Sequence, residues 1–284
     1  MSGFSRTARK GRGVKRPALA VCVEDLNMLL EKVYMESGAD FRSYKKASIA
    51  RRVAKRLAMC RCASVAEYAA VLDKDPAEYD RLRSMLTIKV SEFFREPEVF
   101  EAVRDALAYV PGLSNGVRAW CCGCASGEEA YSIAILLAEA VSGEVAGNSV
   151  VFATDIDPEA IDRARMAEYR EESLANVTSE RRDRHFIMSS NVFWKVSQAI
   201  RSLVRFGTLD IVKGHPISKV HLLFCRNVFI YFNQELQKEV FNKLDYALRP
   251  GGLLVMGKAE QVPPGWAHRY HPIGRDLNVF RKNA

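Results

Sequence analysis

Residues able to do chemistry gather in four short segments. One reads Cys121-Cys122-Gly123-Cys124-Ala125-Ser126-Gly127-Glu128-Glu129 and joins a short apolar run to a helical pattern. Small residues after a strand let a ligand approach the backbone at a helix N-terminus. Only Gly123 and Gly127 are present, so this is no GxGxxG, and without a GK[ST] it is no P-loop. Two carboxylates at a helix start repel pyrophosphate and favour a cationic group such as an amine. Equally, Glu128 and Glu129 suit the positive end of the helix dipole. The second segment, Thr154-Asp155-Ile156-Asp157, closes the next apolar run. An acid at such a strand end is placed to accept from ribose hydroxyls. Asp157 before Pro158 also fits a helix N-cap with Pro at the first helical position. Together the two segments suit an adenosyl ligand without phosphates, which describes S-adenosylmethionine better than NAD.

The third segment is Ser91-Glu92-Phe93-Phe94-Arg95-Glu96-Pro97. The fourth is Cys225-Arg226-Asn227-Val228-Phe229-Ile230-Tyr231-Phe232, at the end of another apolar run. Polar residues at a strand end face the ligand crevice of an α/β sheet. Arg226, Asn227 and Tyr231 cost free energy in an apolar run unless they have partners. A buried Tyr with a satisfied hydroxyl is more often structural than catalytic.

The elements that must position these segments follow from hydrophobic spacing. From Ala18 to about Val110 the pattern is helical: Leu26, Leu29, Leu30 and Val33, then Ile49, Val53 and Leu57, then Tyr68, Val71 and Leu72, then Leu82, Met85, Leu86 and Val90. After Pro111-Gly112 short apolar runs alternate with helical patterns. Residues 117–121, 149–154, 220–225 and 253–256 read as strands, and 128–140, 158–169 and 234–248 as helices. That alternation predicts a parallel sheet covered by helices. Residues 192–212 and 268–281 read as less regular or antiparallel strands.

Composition excludes several classes. At 284 residues, 48% hydrophobic and 27% charged, the chain is neither collagenous nor wholly disordered. No run approaches the roughly 18 apolar residues of a membrane span, and the N-terminus has no apolar stretch of a secretory signal. A cytoplasmic protein is expected. The net charge is +8, with six Lys/Arg and no acid in residues 1–16, and eight against one Asp in residues 40–62. An anionic partner is therefore in question, whereas residues 1–18 alone read as a flexible, solvated tail. Seven cysteines, an odd number, argue against a disulfide framework. Cys121 and Cys124 stand at CxxC spacing, but no second such pair and no His at finger spacing supports a metal.

The combination resembles the CheR-type chemotaxis receptor methyltransferases. The resemblance is carried by SEFFREPEVF (91–100), AWCCGCASGEEAYSIA (119–134), FATDIDPEAIDRAR (152–165), LLFCRNVFIYF (222–232) and LRPGGLLVMGKAE (248–260), with the basic YKKASIARRVAKRL (44–57) ahead of them. It implies an α/β fold, a Rossmann-like class I methyltransferase sheet with an N-terminal all-helical domain and a small antiparallel β element. The implied division is a tail over 1–18, a helical substrate-docking domain over 19–90, a linker and cofactor-contacting segment over 91–112, and the methyltransferase domain over 113–284. Ser91, Arg95, Glu129 and Asp155 fall on the family's cofactor-contacting positions, as does Lys89, where many members carry Asn. Asp210 and Ile211 match its adenine-contacting pair. Cys225 and Arg226 match positions beside the cofactor, and Tyr231 the tyrosine near the methyl group. Arg95, Arg226 and Tyr231 are thus the expected catalytic residues.

The activity implied is methyl transfer from S-adenosylmethionine to receptor glutamates, leaving S-adenosylhomocysteine. The partner implied is the acidic helical bundle of a chemoreceptor cytoplasmic region. Lys45, Arg52 and Arg56 are expected to share a docking face. Arg51 with Lys55, and Arg52 with Arg56, are like-charge pairs at i, i+4, whose cost of a few tenths of a kcal/mol each an anionic partner would offset. Residues 187–197 hold no glycine and form a short loop, which resembles the members that need no receptor C-terminal pentapeptide. A monomer without nucleic acid or membrane insertion is expected. Two other readings differ in class. One is a methyltransferase of RNA or another protein, motivated by charge but lacking interleaved stacking aromatics. The other is a weakly catalytic binding adaptor, motivated by Lys89 and Lys258-Ala259.

Overall fold

The computed structural model describes residues 21–87, 91–141 and 147–283. The basic tail and Lys89 lie outside the described residues. Four helices come first: α1 (Val23–Ser37), α2 (Lys46–Met59), α3 (Val65–Lys74) and α4 (Ala77–Leu86). Leu26, Leu29, Leu30 and Val33 stand at i, i+3, i+4 and i+7, so α1 buries one stripe. It packs against Ile49, Val53 and Leu57 of α2, and Tyr68, Leu72, Leu82 and Leu86 complete the core. The start of α3 is fixed locally. The Ser64 hydroxyl accepts from the Glu67 N–H, and the Glu67 carboxylate reaches back to the Ala63 N–H at 2.6 Å.

Helix α5 (Pro97–Leu107) belongs to the sheet rather than to a linker. Val99, Phe100 and Val103, with Phe93 and Phe94 before them, lie in the sheet's own apolar core. The sheet has seven strands: β1 (Arg118–Cys122), β2 (Val150–Asp155), β6 (Val204–Thr208), β7 (Val220–Cys225), β8 (Leu248–Met256), β9 (Tyr270–Pro272) and β10 (Val279–Lys282). Their order is β6-β2-β1-β7-β8-β10-β9. β6, β2, β1, β7 and β8 run parallel, and β10 is antiparallel to both β8 and β9. α6 (Glu128–Ala140) and α7 (Pro158–Met166) connect the first strands, and α8 (Gln234–Ala247) joins β7 to β8. This is the class I methyltransferase arrangement the resemblance implies.

Two expected boundaries change. The helix expected over 158–169 stops at Met166, because Ala167 turns left-handed and Glu168–Arg170 form β3. With β4 (Phe186–Ser190) and β5 (Phe193–Val196) it makes a separate antiparallel sheet in the order β3-β5-β4. The region 192–212 is therefore split: β5 is antiparallel, but β6 pairs parallel with β2, Val151 opposite Val204. Alternation alone did not separate two sheets that adjoin in sequence.

The strand order reverses between β1 and β7. β1 leads to β2 on one side, and the chain returns to β7 on the other. A crevice opens where the connections diverge at the carboxyl ends of those strands. The chemistry-bearing segments 121–129, 154–157 and 225–232 all leave the sheet at that edge.

Candidate active site

Two adjoining cavities occupy this edge. One, of about 640 Å³, is lined by Asp155, Asp210 and Ile211, with Tyr44 and Leu86 from the helical domain. The other, of about 700 Å³, is lined by Ser91, Arg95, Glu129, Arg226 and Ile230. Gly123, Asn227 and Tyr231 line both.

The loop after β1 is folded onto the end of β2. The Gly123 and Cys124 N–H groups donate to the Thr154 carbonyl at 2.8 and 3.0 Å. Gly123 has φ +78°, and a Cβ there would stand 2.5 Å from a Val228 methyl. Only glycine allows the approach. Asp155 Oδ2 accepts from the Ala125 N–H at 2.8 Å and Oδ1 from the Asp157 N–H at 3.0 Å. These two backbone bonds aim the carboxylate at the first cavity, which it lines. Asp157 takes the capping part, accepting from the Glu159 N–H at 3.0 Å.

The loop carrying Asp210 and Ile211 is held from behind. Asp210 Oδ1 accepts from the Val212 N–H at 2.8 Å. The Lys243 ammonium donates to the carbonyls of Ile211, Val212 and Gly214 at 3.0, 2.6 and 3.0 Å. An ammonium has three donors, so this lysine is saturated by one turn of backbone.

In the second cavity Arg226 is buried, its side chain 1% exposed, and it bridges two acids. Nη1 donates to Glu129 at 2.9 Å and Nη2 to Glu96 at 2.7 Å. As an expected catalytic residue beside the cofactor, Arg226 would face a ligand. Its terminal nitrogens instead hold the protein's own acids, and Arg95 stands in the same cavity without that duty. Arg226 leaves β7 into a turn that Glu260 organises. Glu260 accepts from the N–H groups of Gly257, Asn227 and Ile230 at 2.7, 2.9 and 3.2 Å. Burial pushes its carboxyl up, against the pull of these donors.

The helical domain closes the site. The Lys45 N–H donates to the Tyr231 carbonyl at 2.8 Å and the Asn233 N–H to the Ser43 carbonyl at 3.0 Å. The Tyr44 ring meets Phe232 edge-on at 5.1 Å. The Arg52 guanidinium sits over the Tyr231 ring, 5.1 Å from its centroid, and donates to the Leu86 carbonyl. Tyr231 is thereby fixed from both domains.

Ser91, Arg95, Glu129, Asp155, Asp210, Ile211, Arg226 and Tyr231 are therefore brought to one pair of cavities. Two expected residues are placed otherwise, Cys225 and Arg56. Cys225 lies in the apolar floor with Trp120 and Cys122, and lines neither cavity; Cys122 reaches the surface of the first in its place. Lys89 lies outside the described residues. Arg56 is withdrawn from the expected docking face: its Nε and Nη2 bind Glu78 at 2.6 and 2.5 Å within the helical core. Glu128, the neighbour of Glu129, turns away from both cavities. It is buried beside Ser126, and burial pushes its carboxyl up to about 7. Burial likewise raises the thiols of Cys121 and Cys124, which behave as small apolar side chains.

Sequence reasoning missed Glu96, Glu260, Lys243 and Tyr44. Glu96 and Glu260 sit inside segments already singled out, so an acid among aromatic and small residues was the available signal. Tyr44 opens the basic segment 44–57, but its role, like that of Lys243, exists only through the fold.

Comparison with known proteins shows the family. The family described as "CheR methyltransferase, SAM binding domain" matches residues 89–276, and "CheR methyltransferase, all-alpha domain" matches residues 24–87. A Pseudomonas putida protein designated methyltransferase Cher3 is 32% identical over 267 residues, 91% of this chain and 97% of that one. The chemotaxis protein methyltransferase of Escherichia coli is 30% identical over 249 residues, 85% of this chain and 86% of that one. Among solved structures, PKMT2 from Rickettsia typhi in complex with AdoHcy is 16% identical with a TM-score of 0.38, covering 64% of this chain and 28% of that one. With the two family domains covering nearly all of the described residues and the cavities lying at their junction, the chain belongs to the CheR methyltransferase family, and its sheet domain is that family's S-adenosylmethionine-binding domain.

Proposed function

We propose that the chain transfers methyl groups from S-adenosylmethionine to glutamate side chains of a chemoreceptor cytoplasmic helical bundle. The observation that carries this reading is the pair of cavities meeting at Gly123 and Tyr231, one suited to an adenosine and the other to an amino acid. Asp155 meets the ribose, and Asp210 and Ile211 flank the base. Glu129 takes the ammonium and Arg95 a carboxylate, through a fork that matches both oxygens. Bound there, S-adenosylmethionine would supply a methyl group on a sulfonium, and breaking the methyl–sulfur bond would leave a neutral thioether that needs no proton. A glutamate acceptor is already ionised at pH 7, since its reference pKa is about 4.3, so the chain needs no general base. What remains for the protein is alignment and the exclusion of water. Tyr231, held by Arg52 and Lys45, stands where the two cavities join and where an acceptor enters.

The receptor is met by the helical domain. With Arg56 taken up by Glu78, the docking face consists of the exposed Lys45, Arg51 and Lys55, with Arg52 at the rim of the site. The two-residue link between β4 and β5 holds no glycine, which supports recognition without a receptor pentapeptide. Among the described residues no helix is long and apolar enough to cross a membrane. The proposal places the chain in the cytoplasm as a monomer. The test is transfer of labelled methyl to a purified receptor cytoplasmic fragment. Alkali-labile label is expected, lost when the candidate glutamates are changed to Ala and lost with Asp155→Ala. Alkali-stable label, or label on RNA instead, would replace the reading.

A further inference from the structure

We infer that Glu96 is a positioning residue that gives the second cavity its preference for a cationic amine. The inference rests on the cofactor reading above and adds a residue to it. Glu92 and Arg95, whose formal charges cancel, line the cavity with Arg226 and Glu129. Glu96 lies outside the lining and binds Arg226, so that three side chains form one cluster, a guanidinium between the two carboxylates Glu129 and Glu96. Counted formally, they carry one negative charge more than they neutralise. If Arg226 faced Glu129 alone, the pair would be neutral, and a bound ammonium would compete with a guanidinium for the same carboxylate. Glu96 takes the other terminal nitrogen of Arg226 and restores the excess.

The backbone indicates that this placement is built in. Glu96 has φ 59° and ψ 72°, a left-handed conformation that a side-chain-bearing residue adopts at a cost of about 1–2 kcal/mol. It occupies the N-cap position of α5 but makes no capping bond there. Its carboxylate reaches Arg226 instead, 130 residues away in sequence. The Glu96 side chain is 24% exposed, Glu129 12% and Arg226 1%, so the excess charge sits only partly in water, one guanidinium away from the carboxylate that lines the cavity. In such a partly dry site a unit charge is screened far less than in water.

The experiment compares two ligands that share the adenosine and differ in the amino acid. S-adenosylhomocysteine has the ammonium, and 5′-methylthioadenosine lacks the amino acid altogether. Calorimetric titration of the full chain is expected to show Glu96→Gln weakening S-adenosylhomocysteine on the order of tenfold, with 5′-methylthioadenosine unchanged within about twofold. Glu96→Asp, which keeps the charge, should recover most of the loss. Glu96→Gly relieves the left-handed strain and therefore folds at least as well as the parent, and it should show the same selective loss as Gln. Equal losses for both ligands would overturn the inference in favour of a purely structural role, and so would no loss for either. Wild-type chain that binds neither ligand would overturn the cofactor reading and this inference with it. Wild-type binding with indifferent Glu96 variants overturns only the part given to Glu96.

Discussion

Arg56 and Arg226 both meet carboxylates inside the protein, one in the helical domain and the other beneath the strand ends. Around Arg56 the charges close. Its fork binds both oxygens of Glu78, the Tyr68 hydroxyl donates to the same acid at 2.7 Å, and Arg81 approaches from the surface at 3.3 Å. Neither cavity of the site reaches this cluster. Around Arg226 the charges do not close. One guanidinium faces two acids, its Nε has no partner among the described residues, and a cavity of about 700 Å³ stands in front. The chemistry is the same in both places, and the count differs. A satisfied cluster holds helices together, whereas an unbalanced one beside a cavity is prepared for a ligand.

The comparison breaks first at Arg226. Arg226→Met leaves Glu96 and Glu129, which are 24% and 12% exposed, without their shared cation, which costs about 3 kcal/mol. Affinity for S-adenosylhomocysteine should fall by more than about a hundredfold, because the two acids then repel and move apart. Thermal unfolding and titration calorimetry check the two effects separately. A variant that melts early yet binds normally would show that the triad is only structural. Glu78→Gln is the counterpart. It should destabilise the helical domain by about 3 kcal/mol and leave cofactor affinity within about twofold at a temperature where the chain is folded. Loss of binding there would erase the distinction between the two clusters.

Titration sharpens it next. Burial alone would raise Glu78, but the bonds from Arg56, Tyr68 and Arg81 hold it down at about 2. Its folded pKa lies below its unfolded value. The stability it contributes is complete above about pH 4.5 and is lost as pH falls toward 2. Glu128 runs the other way, pushed up to about 7 by burial. The fold keeps its proton while the unfolded chain releases it, so stability falls as pH rises from about 4.5 to 7 and then levels. Glu128→Gln should remove that fall, gaining on the order of 2 kcal/mol over the parent across the window. Urea unfolding at pH 4.5, 6 and 8 measures it. A constant offset between the two proteins would sink the assignment.

How much of this was open to inspection in the sequence divides along the same line. Strand–helix alternation gave the sheet, and small residues and strand-terminal acids gave the crevice, because backbone geometry there demands particular residue types. Gly123 is the clearest instance, since Val228 leaves no room for a Cβ. Charge partnerships were not legible. Arg56 stands in a run of basic residues and looks like surface, yet its partner arrives from α4, 22 residues on. Glu96 and Arg226 meet across 130 residues. Pairing of that kind is decided by which elements pack together, and hydrophobic spacing fixes the elements without fixing their charged neighbours. The sheet over 168–196 was illegible for a related reason: three short antiparallel strands run into a parallel one in sequence.

The smallest expected effect tests whether the helical cluster is closed without its outer member. Arg81 is half-exposed and divides itself between Asp75 at 2.7 Å and Glu78 at 3.3 Å. Exposed pairs of this kind are worth about 1 kcal/mol or less. Arg81→Ala should therefore lower stability by no more than that, read as a small shift in the urea midpoint with the slope unchanged. Glu78 would remain low, because its bidentate partner and the Tyr68 hydroxyl are untouched, and the acid end of the stability curve should keep its shape. A loss approaching that of Glu78→Gln would mean that Glu78 needs two cations rather than one. The helical cluster would then hold more positive than negative charge, a mirror of the site, and balance would no longer be what separates the region that holds the fold from the region that binds.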